Sequence, residues 1–132
     1  ALLQTISAIM IDIDDFKKVN DKYGHHIGDL VIQHISDLLR ELDVSSKMIS
    51  RWGGEEFLMI YENCHVEQAK AYLQELQTLI RESTHSVEGA DIKITLTFGL
   101  VCDSSLEPHE LIKKADDKLY TGKKNGRDCI VS

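Results

Sequence analysis

The chain has 132 residues, 42% of them apolar and 28% charged, which suits a single domain with its own core and excludes disordered and collagen-like classes. Its 15 basic and 22 acidic residues give a formal charge of −7, which excludes a general nucleic-acid coat but leaves room for a small phosphorylated ligand bridged to acid through a metal. No apolar run approaches the roughly 18 residues of a membrane span, and Cys64, Cys102 and Cys129 form no CxxC, so they read as reduced thiols of a cytoplasmic domain rather than a zinc ribbon.

Ile6 to Ile13 is apolar and β-branched, the pattern of a buried strand, and it ends in acid. Phe16 to Tyr23 predicts two helical turns stopped by Gly24. Leu30, Val31, Ile35, Leu38, Leu39 and Leu42 keep helical spacing, with Asp29 as the expected N-cap. Met48–Trp52 and Phe57–Tyr61 are short apolar runs around Gly53-Gly54, which predicts a two-residue hairpin turn with positive φ at both glycines. A long amphipathic helix is expected over Val66–Glu82 and a single alternating strand over Ile92–Val101. Pro108–Lys123 reads as a helix with Leu111, Ile112, Ala115 and Leu119 on one face, and Cys129–Val131 as a short closing strand. The order βααββαβαβ is that of an α+β fold, with a mostly antiparallel sheet and flanking helices. The chain opens at Ala1 inside what reads as ordered structure, so a fragment truncated at its N-terminus is expected.

Two acidic clusters stand at sharp places: Asp12-Ile13-Asp14-Asp15 at the end of the first strand, and Glu55-Glu56 just past the glycine turn. If the strand lies beside the hairpin, a carboxylate from each faces one point, the oxygen-rich setting Mg²⁺ takes with substrate phosphates. The plainer reading is solvated loop charge. An EF-hand fails, because its sixth and twelfth positions are Lys17 and Tyr23. There is no Walker A element, and His25-His26 lacks the HExxH pattern.

Arg51-Trp52-Gly53-Gly54-Glu55-Glu56-Phe57 resembles the RxGGEEF element of GGDEF domains, the diguanylate cyclases. The run from Asp12 to Asp29 resembles that family's DIDxFKxxNDxxGHxxGD block, and Ala115 to Tyr120 with Lys123, Gly126 and Arg127 is similar to its ADxALYxAKxxGRN tail. The resemblance implies one GGDEF domain over residues 1–132, with a ferredoxin-like sheet akin to the palm of nucleotidyl cyclases and polymerases. It implies condensation of two GTP into cyclic di-GMP and two pyrophosphates with Mg²⁺ or Mn²⁺. Metal would be held by Asp12, the Ile13 carbonyl and Glu55, with Glu55 also catalytic. Gly53, Gly54, Glu56 and Phe57 complete the hairpin motif, and alternation predicts Glu56 on the opposite face from Glu55.

Asn20, His25 and Asp29 match substrate-contacting positions. An amide and a carboxylate can meet guanine's donor and acceptor edge, although Asn20 also suits a turn and Asp29 a helix cap. Lys123 and Arg127 match phosphate-holding positions; six basic and two acidic side chains leave +4 between residues 113 and 127. Backbone amides from Asp14 to Lys18, with Phe16 and Lys17 among them, would cradle the β- and γ-phosphates, while the Phe16 ring packs in the core. The partners implied are GTP, a second copy of the domain in a transient two-fold dimer, and an upstream sensory or dimerisation domain, with no nucleic acid. The domain is expected in the cytoplasm, with membrane anchoring of the whole protein left open. A GTP-binding regulatory module without effective turnover, and a synthase of related or mixed dinucleotides, remain alternatives.

The chain departs from the family pattern in three places. Where many members carry an inhibitory RxxD before the hairpin, this chain has Val44-Ser45-Ser46-Lys47, so no product-inhibition site is expected. Gly122 replaces the alanine before the tail lysine and reads as a helix-end residue neutral for activity. The family's opening DxLTGLxNR segment is absent.

Overall fold

A strand buried on both faces reads as a near-continuous apolar run, and β1 (Ile6–Ile13), broken only by Ser7 and Asp12, accordingly lies at the centre of the sheet. The computed structural model describes residues 5–42, 48–62, 65–103 and 106–132. The helices are α1 (Phe16–Tyr23), α2 (His25–Leu42), α3 (Val66–Glu82) and α4 (Pro108–Lys124). The remaining strands are β2 (Met48–Arg51), β3 (Glu56–Glu62), β4 (His85–Val87), β5 (Ala90–Ile92), β6 (Leu96–Asp103) and β7 (Ile130–Val131). A five-stranded sheet runs β2-β3-β1-β6-β7, with β1 antiparallel to β3 and β6, and β7 parallel to β6. This is the α+β, mostly antiparallel architecture expected. Among the described residues no helix is long and apolar enough to cross a membrane.

Alternation along β1 divides the core. Ile9, Ile11 and Ile13 pack with Phe57, Met59, Phe98 and the inward faces of α2 and α3. Ala8 and Met10 face the other way, with Leu58, onto Leu111, Ala115 and Leu119 of α4. Each of the Ile, Leu, Met and Phe side chains among them contributes about 1.5–3 kcal/mol of burial. α4 lies unusually close to the sheet: a Cβ on Gly99 would stand 2.2 Å from the Ala115 carbonyl oxygen, and one on Gly122 2.6 Å from Thr97 Cγ2. Gly122 is therefore a close-packing residue inside α4, and Asn125 caps the helix instead.

Three local expectations are corrected. α2 starts at His25, because Gly24 (φ 91°) turns the chain at the end of α1 and its carbonyl accepts from the Gly28 N–H at 3.0 Å; Asp29 lies inside the helix and caps nothing. The hairpin is a longer loop over Trp52–Glu55, in which the Trp52 and Gly53 N–H groups donate to the Glu56 carbonyl at 2.8 and 3.4 Å. Arg51 Nε braces it by donating to the Gly53 and Gly54 carbonyls at 3.3 and 2.9 Å, and neither glycine takes a positive φ.

The single strand expected over Ile92–Val101 is two, because a separate hairpin, β4–β5, turns at Glu88 (φ 45°) and Gly89 (φ 81°). This hairpin leans on α2. The Ile80 carbonyl can only accept, so His85 Nε2 donates to it at 3.0 Å, while His85 Nδ1 meets His34 Nε2 at 3.0 Å. At the tip, His26 Nε2 meets Glu88 Oε2 at 3.0 Å, which ties the first turn of α2 to the hairpin.

Candidate active site

Asp12 is the last α4-facing position of β1, directly opposite Glu56 on β3 and Thr97 on β6. Central placement leaves it 2% exposed. The last turn of α4 brings Lys123 over it: the ammonium contacts Asp12 Oδ2 and stands 3.8 Å from Glu56 Oε1. Glu55 belongs to the bend, not the strand, and its carbonyl accepts from the Ile13 N–H at 3.3 Å, which locks the hairpin to the tip of β1. Glu56 shares the face of Asp12, beside Lys123. Of the two glutamates Glu55 lines the cavity in front of Asp12 and Glu56 does not.

Burial dominates the titration of this corner. It pushes the Asp12 carboxyl up to about 6, with Lys123 pulling the other way and Glu55 and Glu56 adding to the rise. Burial likewise raises Glu56. Burial alone would lower the Lys123 ammonium, but the hydrogen bond and charge of Asp12, helped by Glu56 and Glu55, overcome it and raise it. An acidic corner that retains its protons this high is short of positive charge.

Asp12, Ile13, Glu55, Phe16, Lys17, Lys123 and Arg127 line one cavity of about 300 Å³. Its hard oxygen donors include the Asp12 and Glu55 carboxylates and the strand-end carbonyl of Ile13, the kind of donor set that Mg²⁺ and Mn²⁺ accept. The opening of α1 forms one wall. There the Asp14 N–H is engaged by the Thr95 carbonyl at 2.9 Å and the Lys18 N–H by the Asp15 carbonyl at 2.9 Å. Of the amides expected to cradle phosphates, those two are therefore already used. Arg127 enters from the far side, its Nε 3.7 Å from Asp15 Oδ1.

Sequence reasoning missed what holds Arg127 in place. Asp14 is buried and accepts from Thr95 Oγ1 at 2.6 Å, Thr97 Oγ1 at 2.5 Å and the Asp128 N–H at 2.9 Å. Arg127 (φ 64°) and Asp128 (φ 45°) both take left-handed backbone, which costs of order 1–3 kcal/mol each and persists only where the surroundings impose it. Gln77 Nε2 donates to the Asp128 carbonyl at 2.7 Å, and the Arg127 N–H to the Gly122 carbonyl at 3.0 Å. The available signal was Thr97, a buried hydroxyl between Leu96 and Phe98.

Asn20, His25 and Asp29 do not line this cavity; they gather at the α1–α2 elbow, about 6 Å further along α1. Asn20 Oδ1 is buried and has no hydrogen-bond partner among the described residues. A Cβ on Gly28 would fall 1.8 Å from that oxygen and 3.1 Å from Phe16 Cζ, so any larger residue there would force the Asn20 amide aside. Phe16 is a core residue, 8% exposed, whose ring links the cavity to the elbow. His25 and Asp29 are exposed on the adjoining turn, and the capping role expected of Asp29 no longer competes for its carboxylate. Val44–Lys47 lie outside the described residues.

Comparison with known proteins shows the family and the fold. The family model described as "Diguanylate cyclase, GGDEF domain" matches residues 3–129. The chain is 32% identical over 130 residues to diguanylate cyclase A of Treponema denticola, covering 97% of this chain and 35% of that protein. It is 34% identical over 131 residues to the probable diguanylate cyclase DgcT of Escherichia coli, covering 93% and 28%. It thus spans about a third of the length of these curated relatives. Among solved structures, the GGDEF domain of DgcB from Caulobacter crescentus in complex with c-di-GMP superposes with a TM-score of 0.89 at 28% identity, covering 97% of this chain and 77% of that one. The active GGEEF domain of a diguanylate cyclase from Vibrio cholerae gives 0.84 at 32% identity, covering 98% and 84%. With its hairpin, its acidic strand tip and its basic tail facing one cavity, the chain belongs to the GGDEF family of diguanylate cyclases.

Proposed function

We propose that this domain condenses two GTP molecules into cyclic di-GMP and two pyrophosphates. The observation that carries the reading is the convergence of Asp12, Glu55, Lys123 and Arg127, from separate segments, on one cavity. A divalent ion, Mg²⁺ or Mn²⁺, held there by Asp12, Glu55 and the Ile13 carbonyl would acidify the 3′-hydroxyl and offset charge at the α-phosphate. Glu55 accepts the hydroxyl proton as the 3′-oxygen forms its bond to the α-phosphorus of the facing nucleotide and the bond to pyrophosphate breaks. Lys123 and Arg127 hold the phosphates, with the first turn of α1, at Phe16 and Lys17, behind them. Asn20 and Asp29 read guanine, and His25 contacts the substrate beside them. The unpartnered Asn20 Oδ1 supports this role, because a buried acceptor left unmade is costly until a donor such as guanine N–H arrives.

One cavity holds one nucleotide, so ring closure needs two copies facing each other about a two-fold axis. The greater length of the relatives supports a longer parent protein with a regulatory segment outside this domain. A relative at 31% identity over 132 residues, an uncharacterized membrane protein of Staphylococcus aureus, supports membrane anchoring of that parent.

The test is incubation with GTP and Mg²⁺ followed by chromatography for the cyclic dinucleotide, with ATP as competitor. Product from GTP that is lost in Glu55→Ala supports the assignment. GTP bound without product would make the domain a regulatory module instead.

A further inference from the structure

Lys123 and Arg127 carry the same charge at the mouth of the cavity, but their settings differ. Arg127 faces the half-exposed Asp15. Lys123 reaches into the buried corner, touches Asp12 and lies 3.8 Å from Glu56. Apart from that ammonium, Asp12 Oδ2 has no polar partner among the described residues. A buried carboxylate without a counter-charge is strongly unfavourable, so the corner needs a cation in every state in which Asp12 is ionised. The Lys123 side chain is 33% exposed, on a four-carbon stem in the last turn of α4. It is anchored by Asp12 and Glu56 and otherwise able to swing into the cavity it lines.

We propose that Lys123 is a stand-in cation: in the empty domain its ammonium neutralises the Asp12 carboxylate, and it must leave that carboxylate for the nucleotide phosphates when a divalent ion loads. This inference rests on the metal reading above. Its consequence is coupling. An ion arriving alone must displace the lysine with nowhere favourable for it to go, whereas an ion arriving with a triphosphate brings the lysine its next partner. Metal and nucleotide therefore strengthen each other's binding, reciprocally.

The experiment is a Mn²⁺ titration of the 132-residue chain followed by the electron paramagnetic resonance of free Mn²⁺, with and without an α,β-methylene GTP analogue, so that no turnover is involved. In Lys123→Met, Mn²⁺ alone binds about tenfold more tightly than in the wild type, and the gain on adding the analogue shrinks by a similar factor, within the range usual for coupled sites. Lys123→Gln, which keeps a donor for Asp12 without the charge, shifts the same way and serves if the methionine variant does not fold. Lys124→Met removes the same charge from an exposed neighbour that sits over the Tyr120 ring, and its Mn²⁺ affinity stays within about twofold of wild type. Asp12→Asn separates the two readings. If it binds Mn²⁺ as well as wild type, the metal assignment itself fails. If it loses Mn²⁺ while the Lys123 variants bind no more tightly than wild type, the stand-in role alone is overturned.

Discussion

At the residue scale, the division of labour between the two hairpin glutamates comes from where pairing begins. Glu56 is the first residue of β3 and lies opposite Asp12, so its side chain shares the buried α4 face and its proton is held more tightly. Glu55, in the bend, lines the cavity. Removing it with Glu55→Ala takes away both a proposed metal ligand and a proton acceptor, so product formation should fall at least about 100-fold, with the circular dichroism spectrum unchanged. Gly28 offers a sharper probe of the elbow. A methyl group there would overlap Asn20 Oδ1 and press on the buried Phe16 ring, so the Asn20 amide must turn aside. Gly28→Ala should raise KM for GTP about tenfold or more while lowering kcat less, because it displaces the proposed base reader and leaves Glu55 in place. Steady-state kinetics on GTP separate the two parameters. A fall in kcat with unchanged KM would move Asn20 out of the base site. The accompanying stability loss should be about 1–3 kcal/mol, typical of overpacking.

At the element scale, the site depends on how closely α4 can approach the sheet. Gly99 of β6 lies under the Ala115 carbonyl and the Leu119 N–H of α4, at 2.2 and 2.4 Å from where a Cβ would be. Both are backbone atoms in mid-helix, so Gly99→Ala must lift the helix and with it Lys123. A loss of about 3 kcal/mol in urea unfolding is expected, at the upper end for overpacking, together with reduced turnover. The elements most legible in the sequence were those whose pattern has one physical cause. β1 is apolar at every position but Ser7 and Asp12 because helices cover both its faces, and α1 stops at Gly24 because the chain turns there with positive φ. What was not legible depended on contacts between distant segments. Asp29 looks like a cap only if the preceding residues are loop, and it took Gly24's double use to run α1 straight into α2. The two glycines of the hairpin suggest a tight turn, yet Arg51 stabilises a wider one by bonding their carbonyls. The β4–β5 hairpin has strands of only three residues, too short for periodicity to register. At the site, the family motifs located Asp12, Glu55, Lys123 and Arg127, but the direct contact of Lys123 with Asp12 and the Asp14 clasp on Asp128 exist only once α4 and β6 pack.

For the molecule as a whole, two bulk properties follow from this one buried acid and from the proposed pairing of two copies. Asp12 keeps its proton up to about pH 6 in the folded state but only to its ordinary value of 3.8 when unfolded. Between those pH values the folded state binds the extra proton, so this group makes the metal-free domain less stable as pH rises through the window, with no further change above it. Other acids impose their own slopes, so the informative quantity is the difference from Asp12→Asn. The variant should gain stability relative to wild type as pH goes from about 4 to about 6 and hold a constant difference from 6 to 8, measured by urea unfolding in metal-free buffer. A constant difference across the whole range would mean that Asp12 is not perturbed by burial. The second property is kinetic. Each domain supplies one cavity and one Glu55, while each ring closure needs two attacks of opposite sense. If two copies meet only transiently, the encounter complex is a small fraction of the chain, and its amount grows with the square of concentration. Product formed per domain should then rise in proportion to domain concentration at low concentration and level off only where sedimentation detects a dimer. Activity per domain that is independent of concentration, from a species sedimenting as a monomer, would show that a single cavity can complete the ring and would remove the two-fold pair from the mechanism.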